Sequence, residues 1–200
     1  MSEATIPAVS PLPGRLARLY GGLALYGTGI GLQVESGQGN GPWDVFHQGI
    51  AFWTGLSIGT VIIMVGALVM LAWIPLRQRP GLGTISNVIF VGLFADAAIH
   101  LVPAPAHPVL GWLYVALGVT SIALATVLYI SAGMGAGPRD GVMTGLVRMG
   151  LSVRLSRFLI EITVLFAGWL LGGTAGLGTL AFALAVGPLT QLFSRWFPLK

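Results

Sequence analysis

Residues 39–44 read GNGPWD, and residues 135–140 read GAGPRD. Each stretch packs glycines, a proline and an aspartate into six positions of an otherwise apolar chain. Proline suits the first position of a helix, where a missing N–H is harmless, and glycines before it supply backbone geometries closed to other residues. An aspartate two residues after the proline can cap free N–H groups, and it lies at the positive end of the helix dipole. Each corner therefore reads as the start of a short helix, over about 42–54 and 138–149. Neither reaches the roughly 20 apolar residues that a bilayer span needs, so a re-entrant or interfacial placement is expected.

The corners belong to a longer correspondence. An offset of 96 carries Gly37, Gly39, Gly41, Pro42, Asp44 and Gly49 onto Gly133, Gly135, Gly137, Pro138, Asp140 and Gly145. An offset of 95 carries GLS at 55–57 onto GLS at 150–152, GLGT at 81–84 onto GLGT at 176–179, and Gly92 onto Gly187. Matches of special-backbone residues at one nearly constant offset are far harder to reach by chance than matches of leucine. They point to an internal duplication covering most of the chain.

Only 8% of the 200 residues are charged and 55% are hydrophobic, with a mean hydropathy of +0.87. A soluble domain carries about 25% charged residues, so this is the composition of an integral membrane protein. Apolar windows near 17–35, 58–76, 82–102, 109–132, 157–172 and 176–194 give six expected spans. The runs are continuously apolar rather than alternating, which selects helices over a β-barrel. The expected fold is an all-α membrane protein of six transmembrane helices, built as two inverted three-helix repeats, each with a short helix after its first span. Three spans per repeat is odd, so the halves insert in opposite directions. The boundaries expected are a cytoplasmic tail over 1–15, one repeat over 16–104 and the other over 105–200.

Placing the N-terminus in the cytoplasm puts every lysine and arginine on that side. Arg15 and Arg18 lie at the start of the first span, Arg77 and Arg79 follow the second, Arg139, Arg148, Arg154 and Arg157 follow the fourth, and Arg195 and Lys200 follow the sixth. The loops PAPAHP and GGTAG on the other side carry none. This is the positive-inside pattern, and it accounts for the net charge of +4 without a nucleic-acid partner. Both termini are then cytoplasmic. Glu3 and three prolines precede the first apolar run, unlike the basic start of a cleaved signal peptide, so the first span is expected to stay in the mature protein.

With no cysteine the chain has no disulfide, thiolate site or cysteine nucleophile. No GxSxG, P-loop or HExxH pattern occurs, and His47, His100 and His107 are scattered, so neither an enzyme nor a metal or cofactor site is expected. The glycines of GGLALYGTGIG lie inside a span and read as close helix contacts.

Ionisable residues inside a membrane are functional candidates. Arg157 and Glu161 form an (i, i+4) pair on the fifth span, as do Asp96 and His100 late in the third. His47 lies one turn after Asp44 and can share a proton with it. Arg139 stands where the other copy has Trp43, beside Asp140 at a helix N-terminus, where an anion meets a guanidinium and free N–H donors. Arg139, Asp140, Trp43 and Asp44 are thus the expected substrate-binding residues. Glu161, Arg157, Asp96 and His47 are candidates for proton coupling or ion pairing.

The segments GNGPWD, GLSIGT, RPGLGTISN, GAGPRDG and GGTAGLGT, in this order and spacing, resemble the YczE/YitT-like family of bacterial integral membrane proteins from about Tyr20 to Phe193. The resemblance implies a small multi-pass protein of the bacterial inner membrane with no established substrate. Inverted repeats are a recurring plan of secondary transporters. The expected function is therefore a small secondary transporter, with proton-coupled export of an anionic solute as one form and the bilayer and that solute as partners. A membrane accessory protein that binds a partner protein or lipid is the alternative, a passive channel is the third reading, and a homo-oligomer is compatible with each.

Overall fold

The computed structural model describes residues 11–197, and among these it is all-helical. The helices are α1 (Leu12–Ser36), α2 (Pro42–Thr54), α3 (Ile58–Leu71), α4 (Leu82–Leu101), α5 (Pro108–Ser131), α6 (Pro138–Arg148), α7 (Val153–Leu170) and α8 (Leu177–Ser194). Residues 1–10 and Lys200, which carry part of the expected tail and one of the expected cytoplasmic charges, lie outside the described residues. By length and composition three helices, α4, α5 and α8, can cross a membrane, and a fourth crossing is available if α2 and α3, bent by 112°, are one broken span. Large apolar side chains such as Leu68, Leu93, Leu117, Phe166 and Leu184 face outward, as lipid-facing surfaces do.

Helix boundaries follow the corners. Gly41 and Gly137 precede Pro42 and Pro138 at the first turns of α2 and α6. Ser57 and Ser152 cap α3 and α7 by accepting from Thr60 and Leu155 N–H. Thr84 and Thr179 hydroxyls accept the N–H of Gly81 and Gly176 at 3.1 Å, closing the starts of α4 and α8. The left-handed positions fall in pairs at the same offsets: Gly37 with Gly133, Gly39 with Gly135, Gly55 with Gly150, and Arg77 with Gly172.

The centre is α1, which packs on both α4 and α5, while α5 also packs on α8. Glycines make this close approach feasible in a medium where apolar burial gives no preference for helix contact. A Cβ at Gly27 would lie 2.6 Å from Phe94 Cβ on α4, and one at Gly29 would lie 2.8 Å from Ile122 Cγ1 on α5. The short helices are exchanged between halves. α2 packs on α7, with Gly49 against Gly168, and α6 packs on α3, with Gly141 against the Trp73 ring. Trp73 donates its indole N–H to the Pro138 carbonyl at 2.9 Å. The loops cross over too: Gln38 O accepts from Gly178 N–H at 2.9 Å, and Met134 O accepts from Gly83 N–H at 2.7 Å.

One contact is not matched. α3 lies against α4, with Gly59 and Gly92 touching backbone to backbone. Asp96 fastens this crossing, accepting from Ser57 Oγ at 2.5 Å and from Gly59 N–H at 2.6 Å. The positions 95 residues on are Arg154, Gly187 and Gln191, and there α7 and α8 share no packed interface. A Cβ at Gly187 would meet nothing within 4 Å.

Candidate functional site

First-turn residues of α2 and α6, with Tyr26 of α1, line two adjoining cavities. The larger, of about 130 Å³, is lined by α5, α7 and α8 residues including Ile122, Tyr129, Arg157, Ile160, Glu161, Phe182 and Val186, together with Asp140. The smaller, of about 60 Å³, is lined by Ile30, His47, Ile62, Val65, Gly66, Asn87 and Val91 on α1 to α4. Tyr26, Trp43, Asp44 and Arg139 line both. Four residues thus form the partition, and two of them, Trp43 and Arg139, are the pair by which the two corners differ.

The walls correspond position by position. Ile62, Val65, Gly66, Asn87 and Val91 of the smaller cavity lie 95 residues before Arg157, Ile160, Glu161, Phe182 and Val186 of the larger one. The chemistry differs at three of them: Asn87 on α4 stands where α8 has Phe182, and the other two contrasts are in charge. An isoleucine and a glycine on α3 face one cavity, whereas an arginine and a glutamate on α7 face the other. Arg157 Nε donates to Glu161 Oε1 at 2.8 Å, so that pair forms as expected.

The two aspartates have different partners. Asp140 Oδ2 accepts from Tyr129 O–H at 2.5 Å and from Gly137 N–H at 3.2 Å, which is the capping role. Asp44 caps nothing, because Gly41 N–H donates to Gln33 Oε1 at 3.1 Å instead. Gln33 and Tyr129 are themselves 96 residues apart. Freed from the cap, Asp44 is 4% exposed and meets His47 Nδ1 at 3.4 Å. The expected cap at Asp44 is therefore corrected, since a side chain from α1 reaches the N–H first.

Arg139 places its guanidinium 5.1 Å from the centre of the Tyr26 ring, a cation–π contact. Among the described residues it has no hydrogen bond or ion pair; neither Asp140 nor Glu161 is bonded to it, although both line the larger cavity. The expected Asp96–His100 pair does not form, because the Asp96 carboxylate is taken by Ser57 and Gly59. Asp96 lines neither cavity. Tyr26, Tyr129, Phe182 and Gln33 complete the site and are not among the residues expected from sequence. A glutamine inside an apolar span, facing a tyrosine in the duplicate, was the signal available for two of them.

The family of unknown function DUF6198 matches residues 14–195. The chain belongs to that family. A relative from Haemophilus influenzae, an uncharacterised protein, is 40% identical over 172 residues, covering 86% of this chain and 79% of the relative. The uncharacterised membrane protein YczE of Bacillus subtilis is 34% identical over 171 residues, covering 84% of this chain and 80% of YczE. YyaS from the same organism is 26% identical over 182 residues, covering 87% and 90%. The resemblance to YczE read from the glycine-rich corners is thus a family relationship, and the apolar helices of this chain, long enough to cross a bilayer, agree with a membrane protein. No solved structure matches the chain.

Proposed function

We propose that this protein is a secondary transporter of the inner membrane, built from two inverted repeats of three spans, that moves a small solute bearing an anionic group. In this reading α1, α3, α4, α5, α7 and α8 are the six spans, α2 and α6 are half-helices entering from opposite faces, and the termini are cytoplasmic. The observation that carries it is the pair of cavities lined by equivalent positions on the two sides of a partition made by Tyr26, Trp43, Asp44 and Arg139. Alternating access needs such a site at the repeat interface, reachable first from one side and then from the other. The unlike packing of α3 on α4 and of α7 on α8 supports it further. Equivalent elements that sit closed in one half and parted in the other are two positions of one hinge-like contact. Arg139, unpaired at the partition, supplies the anion-binding group. The Asp44–His47 pair and Glu161 supply titratable groups for proton coupling.

The test uses single cysteines in proteoliposomes of fixed orientation, which is feasible because the chain has none of its own. Ile160→Cys, in the larger cavity, should react with a membrane-impermeant thiol reagent only from the side of α6. Ile62→Cys, near the start of α3 and in the smaller cavity, should react only from the opposite side. A reagent that reaches both cysteines from either side would make the protein a channel. Silence of Ile62→Cys from both sides would remove the alternating mechanism.

A further inference from the structure

Two opposite charges share the partition without meeting. Asp44 and Arg139 both line both cavities, yet they form no ion pair within 4.0 Å. The other charges of the larger cavity are satisfied. Glu161 holds Arg157, and Asp140 is held by the Tyr129 hydroxyl and the Gly137 N–H. What remains is one buried carboxylate, released from capping by Gln33 and touching only His47 at 3.4 Å, and one guanidinium whose donors bond to no protein group, although the Asp140 and Glu161 carboxylates attract it.

A ligand of a single sign answers only one of these. A bare anion would occupy the Arg139 donors and leave Asp44 with His47 as its one partner, and a bare cation would leave the guanidinium donors unbonded; buried polar groups left without hydrogen-bond partners are disfavoured. We infer that the solute is a small zwitterion, its carboxylate held by the Arg139 fork and its ammonium by Asp44. Trp43 and Tyr26, which line the same partition, offer ring faces to an ammonium or to an apolar body. A cavity of about 130 Å³ compares with the roughly 150 Å³ cavity that takes benzene, so it suits molecules of about six to eight non-hydrogen atoms. This inference rests on the transporter reading and names its substrate class.

The experiment measures the melting temperature of the detergent-purified full chain with three matched groups of probes. The zwitterions are L-alanine, L-valine, L-proline and glycine betaine; the acids are propionate and isovalerate; the amines are ethylamine and isobutylamine. At about a hundredfold excess over its dissociation constant, at least one zwitterion should raise the melting temperature by about 5 °C or more, and no acid or amine should. Arg139→Gln and Asp44→Asn should each remove that shift with little change in the ligand-free melting temperature, and Arg139→Lys should keep a reduced one. An acid that stabilises as well as its zwitterion overturns the inference and leaves an anion carrier standing. An amine that does so removes Arg139 from the site and overturns both. A flat response to all probes overturns the substrate class, and the cysteine accessibilities then decide transport on their own.

Discussion

Gly92 and Gly187 occupy equivalent places in α4 and α8, and the structure gives them opposite surroundings, so alanine at each is a matched pair of experiments. In Gly92→Ala the new Cβ would run into the Gly59 carbonyl oxygen and lie 2.7 Å from Ile63 Cγ1. The oxygen is backbone and cannot swing away, so α3 and α4 must part. Overpacking of this kind destabilises by about 1–3 kcal/mol, which for a domain of this size lowers the melting temperature by about 2–12 °C. In Gly187→Ala the Cβ meets nothing within 4 Å. Helix propensity then favours alanine by up to about 1 kcal/mol, less what the restriction imposed by Pro188 on the residue before it removes. The expected change lies between zero and a gain of about 4 °C. Thermal unfolding of the two variants, followed by tryptophan fluorescence or by aggregation in detergent, reads the contrast directly. A loss in Gly187→Ala as large as that in Gly92→Ala would mean that α7 and α8 meet in solution as α3 and α4 do, and the parted arrangement would be refuted.

The Asp96 fastening should be measurable as well: Asp96→Ala removes two charge-assisted acceptors and is expected to destabilise by roughly 1.5–3 kcal/mol, with Asp96→Asn losing less. Wild-type unfolding of the alanine variant would dismiss the fastening. For topology, single cysteines at Ala106 and Thr174 should label from outside the cell and one at Gln78 only from the cytoplasmic side. Outside labelling at position 78 would invert the orientation.

Element boundaries were legible because glycine, proline and serine write them locally. The short helices expected at about 42–54 and 138–149 are Pro42–Thr54 and Pro138–Arg148. The prominence of Arg139 was legible for the same reason, since it stands out against Trp43 within a repeated corner. What local sequence could not specify was the choice of partner. Whether an aspartate caps its own helix depends here on a side chain from another helix, Gln33 in one half and Tyr129 in the other. The (i, i+4) spacing of Asp96 and His100 was a sound local argument that lost to a stronger distant one, because the Ser57 hydroxyl and Gly59 N–H lie within 2.6 Å of the same carboxylate. Arg157 and Glu161, with no such competitor, pair as their spacing suggests.

The exchange of short helices bears on how the protein is made. Gly49 of α2 finds its seat against Gly168 of α7, 119 residues later in the chain (168 − 49). At about 5–20 residues per second, the ribosome takes roughly 6–24 s to deliver that seat. During this interval α2 has no α7 to lie on, whereas α6 emerges to find α3 already made. The nascent chain therefore carries α2 without its α7 seat through most of its synthesis, and its first half is completed only by its second.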